Sequence, residues 1–124
     1  MRRSMKILLI AVAGAAGALT RYGISTAIGV RSFPWATLAI NLTGSFILGV
    51  LLTASIQRGW PENTVIPLSV GFLGAYTTFS TFSYETFTLG RADRFVSAAL
   101  YVAVSVTGGL LAACAGYLLA KRIA

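Results

Sequence analysis

Residues 71–85 read GFLGAYTTFSTFSYE, a dense run of hydroxyls and aromatic rings within a membrane-length apolar segment. Five hydroxyl side chains fall within the seven residues 77–83, and a carboxylate follows at Glu85. Hydrocarbon offers such groups no hydrogen-bond partner, so they must face protein, water or an ion. A polar cluster inside a membrane therefore indicates a functional site.

The rest of the chain is typical of a small membrane protein with several spans. Of its 124 residues 56% are hydrophobic and 10% are charged, with a mean hydropathy of +0.80. That leaves too little polar surface for a soluble domain of this size. A spanning helix needs about 20 mainly apolar residues, and four stretches qualify, at about residues 6–28, 35–56, 64–89 and 94–120. We therefore predict one all-α domain over residues 1–124, with Pro67 in the first turn of the third span.

The charged residues point to a bilayer and not to nucleic acid. The net charge is +7, but most basic residues lie at the ends of the spans, where they meet lipid headgroups. We expect a multi-pass protein of the plasma (inner) membrane that does not bind nucleic acid. Histidine is absent and Cys114 is the single cysteine. An enzyme is not expected, because the commonest general base and a cysteine metal cluster are both missing.

The distribution of charge bears on orientation. Four spans place both termini on one side, with Arg2, Arg3, Lys6, Arg58, Lys121 and Arg122 there and Arg31, Arg91, Arg94 and Arg21 on the other or near it. Such a weak positive-inside bias permits insertion in both orientations and hence an antiparallel, dual-topology homodimer. Many glycines within the spans allow close helix packing. That packing favours a tight oligomer, with packing inside one subunit as the alternative.

The third span predicts a broken helix. Its threonines lower helix propensity, and Gly71 and Gly74 precede them. Backbone unwound at membrane depth frees carbonyls that coordinate a small cation in other proteins. Phe79 and Phe82 are three residues apart and share a helical face. Aromatic ring edges carry partial positive charge and suit an anion, while ordinary packing of the two rings is the alternative.

Two further polar residues lie within the first two spans. Asn41 has two amide hydrogens that suit an anion, or it forms an interhelical hydrogen bond that joins helices. Arg21 near the end of the first span either extends to the membrane surface or attracts anions at a vestibule or a dimer interface. The residues alone leave both pairs of alternatives open.

Three motifs occur together in this chain: Gly14-x-x-Gly17-x-x-x-Arg21-Tyr22, Asn41-Leu42-x-Gly44, and residues 71–85 with Thr-Thr-Phe-Ser-Thr-Phe at their centre. In this combination the chain resembles the Fluc (CrcB) family of fluoride channels over essentially its whole length. The resemblance implies a fluoride-selective passive channel that exports fluoride and lowers its cytoplasmic concentration. It also implies an antiparallel homodimer with two pores and a third helix broken in mid-membrane.

The resemblance further implies roles for individual residues. Asn41 would donate an amide hydrogen bond to fluoride, and Phe79 and Phe82 would contact the ion through their ring edges. Backbone carbonyls of Gly74 and Thr77 would hold a structural Na+ at the dimer centre. The remaining pore candidates are Ser80, Thr81, Glu85, Tyr101 and Ser105, with Arg21 at the vestibule or interface.

The main alternative is a small proton-coupled membrane transporter. Small multidrug transporters have a similar size and layout, but they need an acidic residue in the first span, which here carries Arg21 and no Asp or Glu. A fluoride/proton carrier that uses Glu85 is a second form of this alternative. A membrane assembly subunit, in which the polar run joins helices without transport, is a third interpretation.

Overall fold

A computed structural model describes residues 3–124, and those residues form helices joined by short turns. Four helical runs are long and apolar enough to cross a membrane, which confirms the all-helical, four-span prediction. The basic residue Arg2, counted above, lies outside the described residues. The elements are α1 (Arg3–Ile28), α2 (Trp35–Arg58), α3 (Glu62–Ile66), a π-helical segment (Pro67–Leu73), α4 (Gly74–Tyr76), α5 (Phe79–Arg91) and α6 (Phe95–Ile123).

The second span begins at Trp35, directly after Pro34, as its sequence predicts. It ends at Arg58, and the next residue, Gly59, has a positive φ of 63° and donates its N–H back to the Ile56 carbonyl. Glycine adopts this left-handed conformation without steric cost, which makes it the usual residue after a helix. The connection from α2 to α3 is therefore shorter than the predicted gap between the spans that end near residue 56 and begin near residue 64.

The start of the third run differs from the prediction. The helix begins at Glu62 and not near residue 64, so Pro67 lies beyond the first turn and opens the π-helical segment. An acidic residue such as Glu62 is favourable at a helix N-terminus, which explains the earlier start. Proline has no N–H to donate to the preceding turn, and the wider hydrogen-bond register begins there. The Ser69 hydroxyl donates to the Val65 carbonyl at 2.8 Å.

Helices α2 and α6 lie side by side, and glycines at their contact allow the two backbones to approach closely. A Cβ on Gly49 would collide with the Ala113 carbonyl, and one on Gly116 would collide with the Phe46 carbonyl. The two helices therefore approach backbone to backbone at two levels. Small residues serve the same purpose at other membrane helix interfaces, where close packing replaces the hydrophobic effect.

Helix α1 packs along the π-helical segment and α4. A Cβ on Gly17 would collide with the Phe72 carbonyl, and Gly14 lies near the Gly71 carbonyl. Gly14, Gly17 and Arg21 are spaced three and four residues apart, so they share one face of α1. The first sequence motif is thus a contact surface for the third run.

Polar contacts at the helix ends establish an alternating up-and-down arrangement. At one end Lys6 pairs with Glu62, Nζ to Oε2, at 3.4 Å. At that same end an Arg58 guanidinium nitrogen donates to the Ile123 carbonyl at 3.1 Å. At the opposite end Arg94 donates to the Ser32 carbonyl. Both ends of the bundle therefore carry basic side chains.

Two glycines on α1 allow a matched test of the close approach. We expect Gly17→Ala to lower the melting temperature of the protein in detergent, because overpacking typically costs about 1–3 kcal/mol. Gly23→Ala is the control, since a Cβ there meets nothing within 4 Å. Helix propensity favours Ala over Gly, so Gly23→Ala should leave the melting temperature unchanged or raise it. Equal melting temperatures for the two variants would contradict the packing argument.

Candidate functional site

The helical run that starts at Glu62 is interrupted at Thr77 and Thr78. Their φ and ψ angles are −79° and 155° for Thr77 and −149° and 113° for Thr78, both extended. The Leu73 carbonyl accepts from both the N–H and the hydroxyl of Thr77, at 3.0 and 2.9 Å. On the other side, the Thr78 hydroxyl oxygen accepts from the Thr81 N–H at 3.2 Å and caps α5. Threonine is a favoured residue for such a cap.

Asn41 on α2 satisfies both backbone groups of Thr78. Its Nδ2 donates to the Thr78 carbonyl at 3.0 Å, and its Oδ1 accepts from the Thr78 N–H at 2.8 Å. This paired contact is the interhelical hydrogen bond that was one of the two alternatives for Asn41. An amide carries two hydrogens, so a second donor is available to an anion beside Thr78.

Two more groups on α2 support the interruption. A Cβ on Gly44 would collide with the Thr77 methyl group, so glycine makes room for that side chain. The hydroxyls of Thr43 and Tyr76 lie 2.8 Å apart and share a hydrogen bond. The second sequence motif therefore describes a surface on α2 that fits residues 76–78.

Arg21 on α1 contacts the interruption from another helix. Its Nε donates to the Ala75 carbonyl at 3.0 Å in a half-buried setting. The interruption thus receives side chains from both α1 and α2. The sequence did not predict this contact, and the place of Arg21 at a vestibule or interface stays a prediction.

Glu85 and Tyr101, both predicted site residues, are brought together. The Tyr101 hydroxyl donates to Oε2 of Glu85 at 2.9 Å, and the Thr37 hydroxyl donates to Oε1 at 2.7 Å. Tyr101 has no exposed surface, and Thr37 is also buried. The carboxylate is therefore held by two hydroxyl donors from α2 and α6.

Sequence reasoning missed Thr37, although a signal for it exists. Thr37, Asn41 and Ser45 are spaced four residues apart on α2, which places them on one helical face. In the structure Thr37 bonds Glu85, Asn41 bonds Thr78, and the Ser45 hydroxyl donates to the Asn41 carbonyl at 2.8 Å. A polar stripe at this spacing inside an apolar span indicates a helix face turned toward protein.

The two phenylalanines occupy different surroundings. Their ring centroids are 5.7 Å apart with planes tilted by 50°. Phe82 also packs edge-to-face on Tyr101, with centroids 5.1 Å apart and an angle of 68°. Phe79 is 78% exposed in the single chain. Phe82 therefore belongs to the Glu85 and Tyr101 cluster, whereas Phe79 lies open at the start of α5.

The remaining predicted residues continue the polar surface. The Ser80 hydroxyl lies 3.3 Å from that of Thr78, and the Thr78 hydroxyl donates to Thr81 Oγ1 at 3.0 Å. Ser105 on α6 has a buried hydroxyl oxygen, and within residues 3–124 it is the one buried side-chain polar atom without a hydrogen-bond partner. A buried hydroxyl without a partner is costly, so the role of Ser105 in the pore stays a prediction.

Two cavities reach this polar surface. One of about 300 Å³ is lined by Asn41, Ser69, Gly74, Thr77 and Phe79, among others. The other, of about 800 Å³, has Thr37, Thr81, Glu85 and Arg94 in its wall. The beginning of α5 thus contributes to both cavities. All of the predicted pore and cation residues from the second and third spans, except Ser80 and Phe82, line one cavity or the other.

Comparison with known proteins assigns the family. Residues 8–117 match the family model described as CrcB-like protein, Camphor Resistance (CrcB). The chain belongs to the CrcB family. That match covers all four spans of this CrcB chain up to Tyr117 and confirms the resemblance drawn from the three motifs.

Curated relatives of this CrcB chain match it over nearly its whole length. It is 43% identical over 121 residues to the fluoride-specific ion channel FluC of Geobacter sulfurreducens, covering 94% of this chain and 98% of that one. It is 44% identical to FluC 2 of Geobacillus kaustophilus, covering 94% of each chain. It is also 44% identical to FluC of Methanocaldococcus jannaschii, covering 95% and 96%. These relatives are named as channels, so the family confirms that the protein is not an enzyme.

Proposed function

We propose that this protein is a fluoride-selective passive ion channel of the plasma (inner) membrane, which exports fluoride and lowers its cytoplasmic concentration. The observation that carries the proposal is the near full-length identity of 43–44% to proteins named fluoride-specific ion channels. The arrangement of polar and aromatic groups around residues 77–85 supports it independently.

The chemistry around the start of α5 suits a small anion. The N-terminus of a helix carries partial positive charge, and α5 begins at Phe79, directly after the interruption. The second amide hydrogen of Asn41 and the hydroxyls of Ser80 and Thr81 add donors nearby. Donors of this kind replace the water around an ion and still release it, which conduction requires. The edges of Phe79 and Phe82 supply further weak positive charge.

An antiparallel homodimer with two pores accounts for the exposed ring of Phe79. Phe79 is 78% exposed in the single chain, so one subunit by itself leaves one side of the ion path open. A second copy in the opposite orientation would close that side and would create two equivalent paths. The weak positive-inside bias of the sequence agrees with insertion in both orientations.

A structural Na+ is part of the proposal, with the carbonyls of Gly74 and Thr77 as its ligands. Both residues line the cavity of about 300 Å³. They lie at the C-terminal end of the helical run 62–76, where carbonyl groups carry partial negative charge. Backbone carbonyls at broken helices bind Na+ in other membrane proteins, so the residues present fit the ion. Two carbonyls from each subunit would supply four, and the bound ion would add positive charge between the pores.

One observation favours an alternative function, a proton-coupled carrier. Glu85 is an acidic residue inside a span, and it bonds the hydroxyls of Thr37 and Tyr101. Intramembrane carboxylates serve as proton relays in pumps and transporters. A carrier of this type would depend on a proton gradient, whereas a passive channel would not.

Fluoride efflux from liposomes tests the proposed activity. Purified protein in fluoride-loaded liposomes should release fluoride within seconds once a potassium ionophore balances the charge, and chloride should be retained. The efflux should have the same rate with and without a proton gradient. Protein-free liposomes are the control. Efflux that strictly requires a proton gradient would favour the carrier, and absence of fluoride efflux would contradict both.

The two phenylalanines should differ when each is replaced by isoleucine. We expect both Phe79→Ile and Phe82→Ile to reduce fluoride efflux at least about tenfold, which corresponds to about 1.4 kcal/mol. The melting temperature should fall more for Phe82→Ile, because Phe82 packs on Tyr101 within its own subunit, than for Phe79→Ile, whose ring is 78% exposed in the single chain. Phe87→Ile is the control, since Phe87 is exposed farther along α5. Normal efflux in both variants would mean that the rings serve packing alone.

Exhaustive removal of Na+ tests the cation separately. With Na+ replaced by N-methyl-D-glucamine in every buffer, we expect fluoride efflux to fall and to return when Na+ is added back. Choline is the second replacement cation and controls for specific effects of the first. Fluoride efflux that is indifferent to Na+ would contradict the cation site while leaving the channel proposal intact.

A further inference from the structure

We infer that Arg21 is a positioning residue. The hydrogen bond from its Nε to the Ala75 carbonyl holds in place the helix interruption at Thr77 and Thr78. The two atoms are 3.0 Å apart, and they join residues 54 positions apart in the sequence. Arg21 would act through the backbone of residues 74–78 and not through contact with an ion. The vestibule role that the resemblance implies for its charge would be secondary.

The packing of α1 accounts for the reach of this side chain. Gly17 allows the α1 backbone to lie against the Phe72 carbonyl. Arg21 is one turn farther along the same face, and Ala75 is three residues beyond Phe72. The guanidinium therefore arrives at the last helical residues before the interruption. A larger residue at position 17 would displace it.

The Ala75 carbonyl needs a donor from elsewhere. In a continuous α-helix this carbonyl would accept from the N–H of the residue four positions later, Phe79. Thr77 and Thr78 are extended, so Phe79 begins a new helix instead. The last carbonyls of any helix lack such partners, and in an apolar surrounding an unpaired carbonyl is costly. Arg21 supplies the missing hydrogen bond.

The positive charge of Arg21 strengthens this contact. Cations are favourable at the C-terminal end of a helix, and charge-assisted hydrogen bonds are roughly twice as strong as neutral ones. Ala75 lies next to Gly74 and two residues before Thr77, so holding its carbonyl also orients the peptide groups on either side. With Asn41 bonded to Thr78, the interruption is supported from two helices.

Three substitutions at position 21 separate the donor from the charge. Glutamine carries an amide nitrogen on Cδ, at the same point of the side chain as the arginine Nε, but no charge. Lysine keeps the charge, but it has a methylene at that point and its ammonium one atom farther out. Methionine provides neither a donor nor a charge.

Backbone hydrogen exchange of residues 74–81, followed by mass spectrometry on the full chain in detergent, is the measurement. We expect exchange to accelerate about tenfold in Arg21→Met and Arg21→Lys, which equals about 1.4 kcal/mol of lost protection. Arg21→Gln keeps a donor at that point but loses the charge assistance, so its exchange should accelerate clearly less than that of Arg21→Met and Arg21→Lys. Arg31→Met is the matched control, because Arg31 donates its Nε to the Ile28 carbonyl, outside the interruption. It should leave exchange of residues 74–81 unchanged.

Two results would overturn the inference. If Arg21→Lys keeps the exchange protection and Arg21→Gln loses it, the charge is what matters. If all three variants exchange like the unmodified protein, Arg21 does not hold the interruption. The exchange experiment uses no fluoride and the same Na+ concentration for every variant, so its outcome does not depend on fluoride conduction. A parallel loss of fluoride efflux in Arg21→Met, with rescue in Arg21→Gln, rests on that function and would extend the inference to conduction.

Discussion

In an apolar environment every backbone N–H and C=O needs a hydrogen-bond partner. The structure depends on how this requirement is met at residues 77 and 78, where the helix is interrupted. A helix satisfies the requirement by itself, but an extended pair of residues does not. The Thr78 N–H and carbonyl are bonded by Asn41, and Arg21 bonds the Ala75 carbonyl. The Thr78 hydroxyl caps the helix that follows. Four of the backbone groups near the interruption are thus bonded by polar side chains from α1, α2 or the run itself.

This requirement explains why small and polar residues occur together in the sequence motifs. The side chain of Asn41 is short, so the backbone of α2 must lie close to Thr78 for the paired bonds to form. Gly17 brings α1 against the third run, and Gly44 makes room for Thr77. On each helix the glycines and the polar side chains therefore act together to support the interruption.

The interruption also separates charge in a way that one continuous helix would not. A helical run ends with carbonyl groups at Gly74–Tyr76, and a new helix begins at Phe79. The first end favours a cation and the second favours an anion. The proposed Na+ and fluoride sites would use these two ends, so that one short segment would serve ions of opposite charge. Farther along α5, Glu85 accepts hydrogen bonds from the hydroxyls of Thr37 and Tyr101.

The polar pattern of the third span also shows how far sequence reasoning reaches into the site. The density of threonines after Gly74 predicts that something other than a regular helix occurs near residue 77, and the spacing of Phe79 and Phe82 predicts a shared face. Neither pattern predicts that Phe82 packs on Tyr101 while Phe79 stays open. That difference depends on where α6 lies. The predicted start of the third run near residue 64 was wrong because an apolar pattern does not register the polar first turn that begins at Glu62.

The sequence by itself determined the four apolar spans, the membrane setting, the family motifs and the residues at which the third run is weakest. Those properties follow from local composition and periodicity, which act over a few residues. Tertiary structure decided the partners: Asn41 with Thr78, Arg21 with Ala75, and Thr37 with Glu85. These contacts join residues 37, 54 and 48 positions apart. They depend on how whole helices are rotated and how far apart they lie. Close packing at a few glycines sets this geometry, and no local pattern encodes it.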